Sequence, residues 1–327
     1  MYSSGYRDPK ELSVEKKVEV MKKMFYLGIK SLVILGGEPT ILPYFYRILK
    51  VSENFPNVTV QTNGYCWESE YVNFNVKWVF SLESSKEAEN DEIRGIGAYE
   101  RAVKNIYKAS KLGADVTIRT TLTEKLNVEE MCKLALKLNT NLLFMRFMPM
   151  GRGKALEELV PSLEKMIDSY LKILYFSKIF GEKGKKVEIM DPQFAILTRW
   201  DAKHVSYFKK DRTACPALRH RIMVDHRGYY HPCNFYLKKL GKFLKDDIEK
   251  IKRKTAKMYE KLNKEMNEKV EECPFKDLCS GGCKALYILT GKVCYNCPIP
   301  ILIEKYKEDL KKYTEIPIEK IGGGKVV

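Results

Sequence analysis

Cysteine side chains are the most prominent chemical feature of this sequence, because seven of its nine cysteines fall in the last third of the 327 residues. Thiols at short intervals bind metals in reducing compartments, where disulfides are disfavoured. The seven are Cys215, Cys233, Cys273, Cys279, Cys283, Cys294 and Cys297. Their spacing predicts a metal centre in that third of the chain. The other two, Cys66 and Cys132, stand alone and are predicted to be structural.

Two kinds of metal centre are compatible with these thiols. The Cys-x5-Cys-x3-Cys run that starts at Cys273, together with Cys294 and Cys297, offers zinc a tetrahedral set of thiolates, and His231 adds a spare imidazole. Thiolates are equally suited to the soft irons of an iron–sulfur cluster. The residues alone leave both interpretations open.

A second constellation is the turn Gly36-Gly37-Glu38-Pro39, which follows the apolar segment SLVIL. Two glycines let the backbone approach a ligand closely, and the Glu38 carboxylate is a possible acceptor for an ammonium group. Pro39 then restricts the direction in which the chain leaves the turn. Alone the turn is a weak signal, since many tight turns contain two glycines.

Alternating strands and helices must position these residues. Five apolar segments between residues 12 and 148 are predicted as strands: SLVIL, NVTVQTNG, VKWVFSLES, ADVTIRTTL and NLLFMRFMP. Amphipathic helices separate them, and we expect Ser13 and Asn127 to cap two of these helices, the first of which ends at Gly28. Near-continuous apolar strands alternating with helices are typical of a parallel sheet covered by helices. The fold class is therefore α/β.

The motifs occur in the order GGEP, TNG, SLE, IRGIGAYERAV and PMGRG, and this order resembles the S-adenosylmethionine (SAM) radical superfamily. The resemblance implies a partial (β/α)6 TIM-like barrel, here lacking its first strand, with the active site at the carboxyl ends of the strands. It implies that the GGEP turn holds the amino group of SAM, and that Ser81 and Arg94 belong to the segment that meets the ribose and carboxylate. The implied SAM-binding residues are Gly36, Gly37, Glu38, Pro39, Asn63, Ser81 and Arg94. Glu83 stands where the family usually has Asp.

The cysteine pattern resembles the SPASM extension of these enzymes, in which cysteines bind auxiliary iron–sulfur clusters. The resemblance makes the seven clustered cysteines ligands of one or two auxiliary [4Fe-4S] clusters, with Gly228 folding a hairpin so that Cys233 turns back. The family places a further cysteine where this chain has Val270. Seven thiolates do not fill two four-ligand clusters, so either one cluster has an open or non-cysteine ligand, or only one cluster binds. Zinc remains the alternative.

Four regions are expected along the chain. They are a partial barrel at 1–155, linking helices at 156–212, the auxiliary-cluster region at 213–300, and a C-terminal helix with a flexible tail at 301–327. A long helix at about 246–268 is predicted inside the third region.

The family's Cys-x3-Cys-x2-Cys loop, which carries the SAM-cleaving [4Fe-4S] cluster, does not occur in this sequence. The segment YSSG resembles the continuation of that loop, so we expect an upstream strand and loop to be encoded before Met1. With the loop, the resemblance implies an oxidoreductase that generates a 5′-deoxyadenosyl radical. Without it, the alternative is a non-catalytic scaffold that binds SAM or a partner.

The implied partners are a peptide, protein or tetrapyrrole-like substrate and a low-potential electron donor. The net charge of +16 also permits a third function, a zinc-stabilised RNA-binding protein. Nucleic acid is not the favoured partner, because the excess lysines are dispersed over amphipathic helices instead of forming an arginine-rich block. The absence of a long apolar run predicts no membrane span, and a cytoplasmic location is expected.

Overall fold

The computed structural model of the protein describes residues 8–149, 153, 155–191, 193–194, 221–273, 281–294, 297–306, 308 and 310. Cys215 and Cys279 lie outside the described residues. The chain divides into two compact units. The first takes its described residues from Met1–Met145, Ile179–Glu188 and His226–Gly228, and the second from Arg146–Lys178, Ile189–Asp225 and Tyr229–Val327. The four regions expected from the sequence remain a prediction.

Six parallel strands form the main sheet, and their order in the sheet follows their order in the sequence. The strands are β1 (Ser31–Ile34), β2 (Asn57–Thr62), β3 (Lys77–Ser81), β4 (Asp115–Leu122), β5 (Asn141–Arg146) and β6 (Val187–Met190). Ile34 pairs with Val60, and Ser81 pairs with Arg119. The predicted partial barrel of parallel strands is confirmed.

The sixth strand is the main difference from the sequence prediction, which placed only linking helices at 156–212. Strand β6 has four residues, and one of them is Glu188, so its pattern is too short to separate a strand from a linker. Its place in the sheet depends on β5, because the Leu142 N–H donates a hydrogen bond to the Lys186 carbonyl at 2.9 Å.

One α-helix precedes β1, and α-helices connect all successive strands except β2 and β3, which a 3-10 helix (Ser69–Asn73) joins. The six α-helices are α1 (Val14–Tyr26), α2 (Phe45–Ser52), α3 (Glu87–Arg94), α4 (Ala98–Lys111), α5 (Val128–Lys137) and α6 (Leu163–Glu182). Side-chain caps begin two of them, as predicted. The Ser13 side chain accepts a hydrogen bond from the Lys16 N–H, and the Asn127 side chain accepts one from the Glu130 N–H. Gly28, with a φ of 78°, follows α1. Local sequence signals therefore set these ends.

The core lies between one face of the sheet and the helices. Trp78 and Phe80 of β3 are fully buried, and their partners Val116 and Ile118 in β4 are also buried. Cys132, on α5, is 0% exposed, which confirms its structural role, and burial raises the pKa of its thiol to about 12. Because side chains alternate along a strand, residues such as Ser81 and Arg119 fall on the opposite face.

Besides most of α6, the second unit contains a small antiparallel sheet and three further α-helices among its described residues. These elements are β7 (Met223–Val224), β8 (Tyr229–His231), β9 (Gly241–Lys242), α7 (Ile248–Glu268), α8 (Lys284–Thr290) and α9 (Ile299–Lys305). The long helix predicted at 246–268 is confirmed. Gly228 has a φ of 78° in the turn between β7 and β8, which suits its predicted role in a hairpin. No helix among the described residues is long and apolar enough to cross a membrane.

Candidate functional site

The Glu38 carboxylate joins the ends of β1 and β2. Glu38 is buried, and its Oε1 accepts hydrogen bonds from the hydroxyls of Thr40 and Thr62, both at 2.7 Å, and from the Thr40 N–H. Its Oε2 accepts a hydrogen bond from the Asn63 backbone N–H at 2.6 Å. Four donors therefore already surround this carboxylate. Its main effect is to hold the GGEP turn against the end of β2.

The backbone of Gly36 and Gly37 is the exposed part of the same turn. Within the described part of the chain, no backbone N–H donates to the carbonyl oxygen of either glycine. A Cβ added to Gly36 has no atom within 4 Å, and its φ lies outside the left-handed region. The fold does not require glycine at position 36, whereas a ligand that approaches the backbone closely would require it.

The end of β2 has an ordered turn at Asn63 and Gly64. The Asn63 side chain accepts a hydrogen bond from the Tyr65 N–H at 2.7 Å, and the Asn105 amide donates to the Gly64 carbonyl at 2.9 Å. Gly64 has a φ of 77°, and a Cβ there would lie 2.9 Å from the Ala102 Cα. This glycine is required by the packing of α4 against the turn.

A largely buried ion pair lies at the end of β3. Arg94 Nη2 donates to Glu83 Oε1 at 2.6 Å, and the Thr121 N–H donates to Glu83 Oε2 at 2.9 Å. The Asn90 side chain accepts a hydrogen bond from the Glu83 N–H. Burial alone would raise the pKa of Glu83, but Arg94 and the Thr121 N–H outweigh burial, so the pKa of Glu83 lies below its ordinary value.

Arg119 adds a second guanidinium beside this pair. Its Nη1 donates to Gln61 Oε1 at 2.6 Å, and its Nη2 donates to the Ser81 hydroxyl at 3.0 Å. Burial lowers the pKa of Arg119, and Arg94 acts in the same direction while Glu83 opposes it. Arg94 also has a buried Nε with no hydrogen-bond partner among the described residues. Two guanidiniums and one carboxylate leave a net positive charge.

This arrangement at the carboxyl ends of parallel strands is suited to an amino acid. The excess charge of Arg94 and Arg119 would attract a carboxylate, and the unused Nε of Arg94 is a donor for it. The carbonyl groups of Gly36 and Gly37 would accept hydrogen bonds from an ammonium. Ligands of open α/β sheets bind at this edge.

The second unit contains the described cysteines. The residues that line one small cavity are Arg146, Asp191, Gln193, Gly281, Cys283, Leu286, Lys292 and Cys294. Cys294 has a φ of 50°, an unusual conformation for a residue other than glycine, and its N–H donates to the Gly281 carbonyl at 2.9 Å. Backbone strain of this kind concentrates at functional sites. The Cys297 N–H donates to the Cys294 carbonyl at 3.0 Å.

Arg146 is the buried cation of this cavity. It forms an ion pair with Asp191 at 2.9 Å and also donates to Gln193 Oε1. Burial would lower the pKa of Arg146, but the charge of Asp191 and its hydrogen bond outweigh burial and raise it, and Tyr170 and Cys297 act in the same direction. Arg146, whose charge is matched by Asp191, therefore lies beside the cavity-lining thiols of Cys283 and Cys294 and close to Cys297.

The other predicted metal ligands do not line this cavity or lie outside the described residues. Cys233 is buried beside β8, and Cys273 lies in the turn that follows α7. His231 Nε2 lies 2.9 Å from Asp225 Oδ2, so this imidazole is already engaged by a carboxylate. Among the described residues, no group of three or more His, Cys, Asp or Glu side chains is close enough to hold one metal ion.

Comparison with known proteins identifies the family of the first unit. A family model described as the radical SAM superfamily matches residues 1–138. The chain carries a radical SAM domain. The family predicted from the ordered motifs is therefore confirmed.

Individual relatives extend the similarity beyond the radical SAM domain. Mycofactocin maturase MftC of Mycobacterium tuberculosis is 24% identical over 307 residues, which cover 88% of this chain and 75% of the relative. Sporulation killing factor maturation protein SkfB of Bacillus subtilis is 26% identical over 261 residues, covering 76% of this chain and 59% of SkfB. The structure of native anSMEcpe with bound AdoMet and Cp18Cys peptide superposes with a TM-score of 0.71 at 16% identity, covering 91% of this chain and 90% of that one. The last comparison shows the fold.

One set of donors fits SAM, and a second set offers two of the thiols that an iron–sulfur cluster needs. The orphaned Arg94 Nε and the open backbone at Gly36 fit the amino-acid end of SAM. The thiols of Cys283 and Cys294, which line one cavity beside Arg146, are chemically suited to an iron–sulfur cluster.

Sequence reasoning missed several residues of the first site. They are Thr40, Gln61, Thr62, Asn90, Arg119 and Thr121. Only Arg119 carried a signal, since a lone charged residue inside the apolar segment ADVTIRTTL has to face a polar or ligand-binding region.

Proposed function

We propose that the chain binds SAM at the carboxyl ends of β1–β4 and acts as a peptide-modifying radical SAM enzyme that also holds an auxiliary [4Fe-4S] cluster. The observation that carries the proposal is the net positive charge of the cluster formed by Glu83, Arg94 and Arg119. In this cluster the buried Arg94 Nε has no acceptor among the described residues. A largely buried cluster with an excess positive charge favours an anion, and the methionine carboxylate of SAM supplies one.

Each residue of the site would have a distinct role. Arg94 would donate to the SAM carboxylate through Nε while its Nη2 stays bound to Glu83. The carbonyl groups of Gly36 and Gly37 would accept hydrogen bonds from the ammonium. Glu38 would hold the turn that contains these glycines against the end of β2. Arg119 would orient Ser81 and add positive charge. The predicted roles of Pro39 and Asn63 remain predictions.

Bound SAM and a reducing [4Fe-4S] cluster would supply a 5′-deoxyadenosyl radical that abstracts hydrogen from the substrate. That chemistry depends on a Cys-x3-Cys-x2-Cys loop, and the upstream loop expected above stays a prediction. In the second unit, Cys283, Cys294 and Cys297 would hold the auxiliary cluster together with further predicted cysteines, with Arg146 beside them.

A peptide is the substrate class best supported by the relatives. MftC and SkfB are named as maturation proteins, and the solved structure of similar fold contains a bound peptide. A low-potential electron donor is the second proposed partner. The peptide assignment is supported by the names of these relatives, whereas the electron donor is only what the resemblance to the radical SAM superfamily implies.

The SAM site is tested by titrating SAM into the anaerobically prepared protein and measuring affinity by calorimetry. We expect Arg94→Gln to weaken binding by about 1.5–3 kcal/mol, the contribution of a charged hydrogen bond, which is roughly 10- to 150-fold. Arg47→Gln is the matched control, since Arg47 is exposed and pairs with the exposed Glu15. Decarboxylated SAM should bind the wild type and Arg94→Gln equally.

Equal SAM affinity of a folded Arg94→Gln variant and the wild type would contradict this site. The circular dichroism spectrum and melting temperature of each variant establish that it is folded. The scaffold alternative shares the SAM site, so formation of 5′-deoxyadenosine under dithionite separates enzyme from scaffold.

A further inference from the structure

Lys284 is a fully buried lysine in the second unit. It is the first residue of α8, directly after Cys283, and it is 1% exposed. Its Nζ is buried and has no hydrogen-bond acceptor among the described residues. The ammonium lies 4.9 Å from the centre of the Tyr259 ring of α7. Lysine is almost never buried to this extent without a partner, so the position requires a physical explanation.

The Tyr259 ring alone does not account for this burial. Removing an ammonium from water costs more free energy than one cation–π contact returns. A nearby anion would supply the difference, because charges interact more strongly in a medium of low dielectric constant. Lys284 forms no ion pair within the described part of the chain, unlike Arg146, whose charge is matched by Asp191.

The neighbouring chemistry indicates which anion is missing. Cys283 precedes Lys284 directly, and its side chain lines the cavity that also contains Cys294. Thiolates that hold an iron–sulfur cluster give the whole assembly a negative charge, whereas neutral thiols leave Lys284 uncompensated. A cluster bound through Cys283 would therefore place negative charge on the residue that directly precedes Lys284.

We infer that Lys284 is the buried counter-cation of the auxiliary cluster, where it favours the reduced form and strengthens retention of the cluster. This inference rests on the proposed function, which places a cluster at these cysteines. Reduction transfers one electron from an external reductant such as dithionite to the cluster and makes it more negative. A fixed positive charge nearby stabilises the more negative state.

The first test compares reduction of the reconstituted wild type with Lys284→Met, Lys284→Arg and Lys269→Met. At one fixed potential, we expect Lys284→Met to lower the ratio of reduced to oxidised cluster at least tenfold, which is 59 mV for one electron. Lys284→Arg keeps the charge and should stay near the wild type. Lys269 is exposed and also lies over a tyrosine ring, Tyr287, so Lys269→Met removes an equivalent charge away from the buried position.

The second test uses the melting temperatures of the cluster-free and cluster-loaded proteins. Lys284→Met removes an uncompensated buried charge, so it should raise the melting temperature of the cluster-free form. The same variant should gain less on cluster loading than the wild type, because the favourable pair is lost. A structural role for Lys284 that is independent of the cluster would shift both forms equally.

The outcomes of these tests distinguish failure of the role inferred for Lys284 from failure of the proposed auxiliary cluster. Normal iron and acid-labile sulfide in all proteins, with equal reduction of Lys284→Met and Lys269→Met, would overturn the role of Lys284 alone. A wild type that takes up zinc and no acid-labile sulfide would overturn the auxiliary cluster and this inference together.

Discussion

Buried carboxylates at the ends of strands organise the first site. Glu38 and Glu83 are 8% and 7% exposed, and each accepts hydrogen bonds from the end of a neighbouring strand. Backbone N–H donors fix the position of each carboxylate, so the two side chains are rigid parts of the site. Glu83 additionally fixes Arg94, which leaves the Arg94 Nε as the donor for a ligand.

Glu83 should make the stability of the protein depend on pH. Its pKa in the folded state lies below the ordinary value of 4.5, because Arg94 and the Thr121 N–H stabilise the ionised form. The unfolded chain therefore binds more protons in this range, and the stabilisation present above pH 4.5 is lost as the pH falls through the folded-state pKa. We expect Glu83→Gln to lower the free energy of unfolding by about 3 kcal/mol at neutral pH.

Urea denaturation between neutral pH and about pH 2 measures this dependence. The gap between wild type and Glu83→Gln should narrow as the pH falls. Glu53→Gln, at an exposed position, is the control and should track the wild type. A gap that stays constant over the whole pH range would show that the ionisation of Glu83 does not contribute.

At the scale of elements, two glycines are expected to have different roles. The fold requires Gly64, whereas a bound ligand would require Gly36. Gly64→Ala should destabilise the protein by about 2–4 kcal/mol, because its Cβ would meet the Ala102 backbone of α4 at 2.9 Å in a left-handed conformation. Gly36→Ala should change stability by less than about 0.5 kcal/mol, since the added Cβ has open space. Gly36→Ala should nevertheless weaken SAM binding.

Thermal unfolding and SAM calorimetry of the two variants check this pair. Loss of SAM affinity in Gly36→Ala at unchanged melting temperature supports a ligand beside the GGEP turn. Unchanged affinity would remove that turn from the site.

Elements with strong local signals were predictable from the sequence, and contacts between distant segments were not. Strands β1–β5 and the caps at Ser13 and Asn127 follow from apolar runs and capping residues. Strand β6 depends on pairing with β5 and has little signal of its own. Thr62 meets Glu38 across 24 positions in sequence, a contact set by the register of β1 and β2.

The same limit applies to the candidate site. Glu83 and Arg94 were both singled out from motifs, but their ion pair follows from the exit of β3 into α3. Arg119 reaches the site only because β4 pairs with β3 in the register Ser81↔Arg119. The motifs therefore located Glu83 and Arg94 along the chain. The register of the strands brings Arg119 beside them, and the resulting excess of positive charge indicates an anion as ligand.

At the scale of the whole molecule, each unit contains a different kind of chemistry. The first unit carries the polar groups at the carboxyl ends of β1–β4, and the second carries the described cysteines 233, 273, 283, 294 and 297. The proposed SAM site and the proposed auxiliary cluster thus fall in different units. This division is consistent with the radical SAM family model, which matches residues 1–138, and with relatives that align well beyond it.

Hydrogen–deuterium exchange of the anaerobically prepared protein, with and without millimolar SAM, tests the location of the SAM site most directly. We expect slower exchange in peptides that cover residues 35–40, 61–66 and 81–94, and loss of the protection at 81–94 in Arg94→Gln. Saturating SAM that protects none of these peptides, or protects only segments elsewhere in the chain, would show that SAM does not bind at the carboxyl ends of β1–β4.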